Sequence, residues 1–185
     1  MAARGVNSYR EFTQLYVRHW DTWNTEGRLS HLFVLPLKQA KSNGDSEEAF
    51  VWEVIGAPKD IMYSMIYNSP TPPFGGVEQL SIAPNGLTIA FTCEAVRYDT
   101  AWTTGWDVYL VSLAPSSLAP TTPRSLTDKT QARCQDPVFS ADGGSLFYTA
   151  MDKPQSESDR LHLVYTPNPH DITMIARITL ITVMY

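Results

Sequence analysis

The residues best suited to chemistry in this 185-residue chain are four histidines, His19, His31, His162 and His170, and two cysteines, Cys93 and Cys134. Apart from the nearby Asp21 and the adjacent Asp171, none of the histidines has a Cys, Asp or Glu at metal-ligand spacing, so they read as packed or surface side chains. The two cysteines stand far apart in sequence and define neither a disulfide framework nor a metal motif. Both read as buried thiols. Acyl-transfer chemistry needs a serine on a strand-to-helix elbow with a histidine base and an orienting carboxylate. No Gly-x-Ser-x-Gly occurs in the chain, and His170-Asp171 is no triad, because adjacent side chains rarely point at one another. No catalytic, cofactor-binding or metal-ligating residue is assigned, and no cofactor is expected.

Polar clusters remain to be placed. Arg18, Trp20, Asp21 and Trp23 have the residue types of a peptide-lined channel. The simpler expectation is an Arg18–Asp21 ion pair tying a helix end to the sheet structure, with the tryptophans packed beneath. Glu157, Asp159 and Arg160 read likewise as polar ties on a loop between strands.

These side chains must be held by a mostly extended scaffold. Charged residues make up 18% of the chain and apolar ones 43%, enough to bury a core, and the polar remainder is rich in Ser and Thr. A net charge of −5 with no basic stripe removes nucleic acid from the partners considered. The N-terminus lacks the apolar stretch of a secretory leader, and there is no Asn-x-Ser/Thr sequon. A cytoplasmic location follows by default, with secretion left open for a longer parent.

Ser8 and Glu11 stand at capping-box spacing, and the periodicity of Tyr9, Phe12, Leu15, Tyr16 and His19 predicts a short helix over about Tyr9–Val17. The apolar runs His31–Leu37 and Ala49–Ile55 then predict two strands about a polar hairpin containing Asn43-Gly44. Asn68–Gly76, which holds Pro70, Pro72, Pro73, Gly75 and Gly76, is a connecting loop.

The strongest organisational signal is an internal repeat. Leu80–Thr92 superimposes on Pro137–Thr149 with Asn85-Gly86 beneath Asp142-Gly143, and each copy is followed by a further strand, Trp106–Leu113 or Leu161–Tyr165. Strand, tight turn, strand and following strand at a fixed period are the sequence form of a β-propeller blade. A blade needs neighbours to bury both of its faces.

Both copies resemble the Ser-Pro-Asp-Gly-x-x-Ile-Ala-Phe repeats of TolB and of the prolyl oligopeptidase (S9) family of serine peptidases. A more specific series follows in order: Val17-Arg-His-Trp-Asp-Thr-Trp23 with His31-Leu-Phe33, Pro73-Phe-Gly-Gly76, Thr100-Ala-Trp102 before Asp107-Val-Tyr109, Pro123-Arg-Ser-Leu-Thr127 and Glu157-Ser-Asp-Arg160. It resembles the propeller domain of the acylaminoacyl-peptidase and dipeptidyl-peptidase V branch over about residues 12 to 165. The resemblance implies a serine exopeptidase whose propeller covers the active site of a C-terminal α/β-hydrolase domain and admits only short peptides. That hydrolase domain cannot fit in the short stretch from Tyr165 to Tyr185, so the chain by itself is expected to be inactive. Glu47-Glu48 is not equated with the paired glutamates that hold a substrate amine in dipeptidyl-peptidase IV, since those belong to a helical insertion and these to a hairpin loop.

The fold expected is therefore all-β, a partial propeller with a short N-terminal helix: residues 1–27 as helix and linker, 28–165 as about three blades with repeat cores 80–92 and 137–149, and 166–185 as a divergent tail. Arg177 interrupts the apolar stretch from Ile172 to Tyr185, which is too short to span a bilayer, so no membrane partner is expected. Its β-branched content suits a strand closing a blade; a truncated or misjoined reading frame is the other account of it. The partners expected are peptide substrates of the full-length parent and the missing hydrolase domain, with self-association through an exposed strand as a further option. Two readings stand beside the peptidase: a stand-alone interaction module, and a truncated gene product without activity.

Overall fold

A computed structural model describes residues 11–13, 17–23, 28–41, 50–95, 100–113, 122–128, 131–169 and 179–181. Fifteen strands occur among them: β1 (Arg18–His19), β2 (Thr22–Trp23), β3 (Phe33–Val34), β4 (Leu37–Lys41), β5 (Phe50–Val54), β6 (Lys59–Asp60), β7 (Tyr67–Asn68), β8 (Leu80–Ile82), β9 (Thr88–Ala95), β10 (Asp107–Ser112), β11 (Arg124–Ser125), β12 (Cys134–Phe139), β13 (Ser145–Ala150), β14 (His162–Pro167) and β15 (Thr179–Ile181). The only helical segments among the described residues are single 3-10 turns at Val77–Gln79 and Thr100–Trp102. The fold is all-β and every strand pairing among the described residues is antiparallel. Of the helix expected over Tyr9–Val17, residues 11–13 and 17 are described and are not helical; its other residues lie outside the described ones, as do Asn43-Gly44, Glu47-Glu48 and His170-Asp171.

The repeat becomes two similar sheets. In the first, β11, β10 and β9 lie side by side, and the free edge of β9 takes β8 at one end and β7 at the other. In the second, the order is β12, β13, β14, β15. The two hairpin turns match bond for bond. Gly86 N–H donates to the Ala83 carbonyl at 2.8 Å and Gly143 N–H to that of Ser140 at 2.9 Å, while Leu87 N–H and Gly144 N–H donate to the Asn85 and Asp142 side chains, both at 2.9 Å. Both turn glycines have positive φ, +71° and +72°, a conformation that strains any residue with a Cβ. Phe91 and Tyr148 are equivalent through the hairpins, and their ladder partners on the third strands are Tyr109 and Val164. The connection to the third strand is therefore slightly shorter in the second sheet than in the first.

The fourth strands keep the same correspondence: Tyr109 pairs with Ser125, and Val164 pairs with Leu180. The tail segment Thr179–Ile181 is thus the fourth strand of the second sheet, in the place that Arg124–Ser125 holds in the first.

Period-two alternation puts Ile89, Phe91, Cys93 and Val111 on one face of the first sheet and Ala90, Val108 and Leu110 on the other. The first set packs with Ile61 and Met62 and with the partly buried Leu32, Val34 and Met65. The second set packs against Cys134, Phe139, Leu146, Tyr148 and Val164 of the second sheet. Hydrogen bonds cross the same junction, from Asp136 N–H to Thr92 Oγ1 at 3.0 Å and from Phe139 N–H to Ser81 Oγ at 3.2 Å. The Arg124 guanidinium reaches the Pro169 carbonyl at 2.6 Å.

Two sequence expectations need correction. The apolar run His31–Leu37 is not one strand: Phe33–Val34 pairs with Lys59–Asp60, and Leu37 begins a separate strand, Leu37–Lys41, the hairpin partner of Phe50–Val54. Pro36 breaks the run, since it carries no N–H for a ladder. Nor do Arg18 and Asp21 tie the N-terminal segment to a sheet. Arg18 lies over the Trp23 ring at 5.7 Å, Asp21 accepts from the Thr22 hydroxyl at 3.4 Å, and Trp20 is 73% exposed. An exposed guanidinium gains as much from a neighbouring indole as from a solvated carboxylate.

The connecting loop expected over Asn68–Gly76 follows β7, which ends at Asn68, and its anchor is buried. Thr71 N–H donates to Gln79 Oε1 at 2.7 Å and Gln79 Nε2 donates to Thr71 Oγ1 at 2.8 Å, which ties the loop across its base.

Candidate functional site

The connections β9–β10 and β13–β14 leave their sheets at equivalent positions, and together with β1 and the start of β12 they enclose a cavity of about 340 Å³. Glu94 comes from the end of β9, Trp102, Thr104 and Trp106 from the first connection, Gln155 and Glu157 from the second, His19 from β1, and Arg133 is the residue before β12.

Glu94 is the chemically unusual member. Alternation along β9 places it on the same face as Ala90 and Thr92, and it is only 7% exposed. Burial disfavours the carboxylate and pushes its pKa up to about 7, against the Trp106 indole, which hydrogen-bonds the carboxyl, and the positive charge of Arg133, both of which favour ionisation. The group therefore changes charge near neutrality.

Arg133 stacks on the Trp106 face, with its guanidinium carbon 4.0 Å from the ring centroid. Its Nε–H is buried and has no hydrogen-bond partner among the described residues, and the same holds for the Thr104 hydroxyl. Burial lowers the pKa of His19, with Glu157 opposing and Arg133 adding to the shift, so its imidazole is neutral at pH 7. Gln155 and Glu157 form an exposed rim.

The polar residues singled out from sequence separate. Asp159 accepts the N–H groups of Asp152 and Lys153 at 2.9 and 2.8 Å, and Arg160 Nε stands 3.1 Å from the His162 Nε2 that pairs with Asp152, so both act as loop ties. Glu157, read with them as a tie, instead faces the cavity. His31 pairs with Asp60 at 2.8 Å and His162 with Asp152 at 2.8 Å, each as a packed histidine. Cys93 and Cys134 are both buried, and burial, aided by the charges of Asp107 and Glu94, raises the Cys93 thiol pKa well above its ordinary value. Among the described residues no three or more His, Cys, Asp or Glu stand together to hold a metal ion.

Glu94, Thr104, Trp106 and Arg133 were not singled out from sequence. The available signal for Glu94 was a carboxylate at an inward position of an alternating strand, Ala90-Phe-Thr-Cys-Glu94. For Arg133 there was none.

Over most of its length the chain is similar to dipeptidyl-peptidases. It is 31% identical over 158 residues to a dipeptidyl-peptidase 4 of Giardia intestinalis, covering 82% of this chain and 20% of that protein. It is 30% identical over 169 residues to a dipeptidyl-peptidase 5 of Aspergillus fumigatus, covering 86% and 22%, and 28% identical over 185 residues to a probable dipeptidyl-peptidase 5 of Arthroderma benhamiae, covering 95% and 24%. The chain thus spans between a fifth and a quarter of the length of these curated relatives. No family profile matches the chain, and no solved structure matches it. Among the described residues no helix is long and apolar enough to cross a membrane.

Proposed function

We propose that this chain is the propeller portion of a serine exopeptidase of the S9 family, of the dipeptidyl-peptidase 5 kind, and that it gates the access of short peptides to a hydrolase domain outside it. The observation that carries this reading is the pair of stacked antiparallel sheets in which Phe91, Tyr109 and Ser125 of the first correspond to Tyr148, Val164 and Leu180 of the second, each sheet ending in a fourth strand. Consecutive propeller blades have this form: each offers one face to the blade before it and the other to the blade after it. Similarity to dipeptidyl-peptidases over most of the chain supports the family, and partial coverage of those relatives supports a portion. The chain supplies entry selection and no nucleophile, since it has no Gly-x-Ser-x-Gly.

Sequencing the transcripts that carry this segment tests the reading. A reading frame that runs on into further four-stranded units and a Gly-x-Ser-x-Gly elbow is the expected result, together with no turnover of a dipeptidyl p-nitroanilide by the present chain alone. Transcripts that all stop at Tyr185, or turnover by the chain alone, would overturn it.

A further inference from the structure

The cavity between the two connections is lined by hydrogen-bond donors that the described residues leave unpaired. Two of its lining groups, Arg133 Nε–H and the Thr104 hydroxyl, are buried without a hydrogen-bond partner among the described residues. An unsatisfied buried donor is destabilising, more so when it is charged, so a ligand that accepts from both recovers that cost. Stacking on Trp106 fixes the plane of the Arg133 guanidinium. Glu94 can present an acid O–H to an incoming anion, a charge-assisted bond of the stronger kind.

We propose that this cavity binds a carboxylate group, with Arg133 Nε–H and the Thr104 hydroxyl donating to it and the Glu94 carboxyl beside it, against the indoles of Trp102 and Trp106. The source is either a peptide's C-terminal carboxylate or an Asp or Glu side chain. The site stands apart from the gating reading, since it rests on this chain's own cavity and needs no hydrolase domain.

The charged and titratable groups around Glu94 agree with this sign. Arg133 is the cation of the lining, and His19 on β1 is neutral at pH 7. Glu157 is on the solvated rim, where its repulsion is screened. Asp107, paired across the ladder with Cys93, shares its carboxylate with the Thr127 hydroxyl at 2.8 Å. Asp136 is held by Gln135 Nε2 at 2.7 Å. A cationic ligand would meet Arg133 on the face of Trp106 that it would need for itself.

The test follows the Trp106 indole N–H in ¹H–¹⁵N spectra of the whole chain during titration with N-acetylglycine, N-acetylaspartic acid α-amide, whose β-carboxylate is free, N-acetylglycinamide and glycinamide. Saturable shifts with either carboxylate and none with the neutral amide or the amine are expected. Which of the two carboxylates binds more tightly identifies the source. Because the ligand takes the protonated form of Glu94, binding is expected to be about tenfold weaker at pH 8 than at pH 6. Glu94→Gln keeps a neutral donor at every pH and is expected to bind at pH 8 as the parent does at pH 6, whereas Arg133→Met is expected to lose binding. If Arg133→Met does not fold, the Glu94→Gln profile decides. Equal binding of carboxylate and amide, a preference for glycinamide, no shift with any probe, or a pH profile unchanged by Glu94→Gln would each overturn the proposal.

Discussion

The two repeated sheets differ most in what lies against their second faces. In the first sheet both faces are covered: Phe91 is fully buried against Ile61 and Met62, and Ala90 and Val108 are fully buried against the second sheet. In the second sheet Leu146, Tyr148 and Val164 are buried against the first, while Phe147, Leu163 and Tyr165, which stand where Ala90, Val108 and Leu110 stand in the first sheet, are only half-buried, and Val138 is 56% exposed. Equivalent positions carry apolar residues in both sheets and differ in cover. A strand pattern therefore records which way a face is turned, and burial depends on whether a neighbour is stacked on it.

Truncating one aromatic on each kind of face tests that difference most strongly. Phe91→Ala is expected to cost about 3–5 kcal/mol in a denaturant titration, because the void sits among fully packed neighbours. Phe147→Ala is expected to cost on the order of 1 kcal/mol. Equal costs would mean that the outer face of the second sheet is covered in solution, and a midpoint that rises with protein concentration would identify a second copy of the chain as the cover.

A second contrast lies at the end of the same strands. Glu94 in the first sheet has Met151 as its counterpart in the second, and the two are 7% and 8% exposed. One sheet buries a carboxyl where the other buries a thioether. With the Glu94 pKa raised to about 7 in the folded chain, from an ordinary value of 4.5, the folded state binds the proton more tightly. Its contribution is full below about pH 4.5, declines as pH rises, and is gone above about pH 7, a total of about 3 kcal/mol. Urea midpoints measured from pH 4.5 to pH 8 should show that decline, and Glu94→Met should remove it by making the two sheets alike. An unchanged slope in Glu94→Met would assign the decline to other groups.

Much of this architecture was legible because it is local. The repeat follows from two Asx-Gly turns flanked by alternating strands, and that chemistry needs no tertiary context. The cavity was not legible, because Glu94 and Arg133 come from different sheets and meet only through a stacking that periodicity does not encode. The Arg18–Asp21 expectation failed for a related reason: sequence proximity offered a partner, but the chain put the Trp23 ring under the guanidinium. His31–Leu37 misled because its hydrophobicity is continuous and Pro36 sits inside it.

The turns sharpen the comparison at a smaller scale. An alanine Cβ at Gly86 would meet nothing within 4 Å, so Gly86→Ala bears only the positive φ, about 1 kcal/mol. A Cβ at Gly143 would stand 3.3 Å from Pro84 Cδ, so Gly143→Ala is expected to cost about 2 kcal/mol. Thermal melts of the two variants should rank in that order. The reverse order would place the contact between the second turn and the first sheet in doubt.

The smallest difference is a single functional group. Asn85 and Asp142 accept the same N–H two residues on, at the same 2.9 Å, but only the aspartate titrates. The Ser140 hydroxyl, donating at 2.6 Å, and then the Gly144 N–H hold the Asp142 pKa below its ordinary value. A lowered carboxylate pKa gives stability that is present above the unfolded-state pKa and is lost as pH falls through the folded one, so the second turn should loosen in acid below pH 3.8 while the first does not. The chemical shift of the Gly144 amide should then titrate in that range while that of Leu87 stays flat. Asp142→Asn should abolish the titration and make the turns equivalent. A Gly144 shift that still titrates in Asp142→Asn would move the cause to another carboxylate.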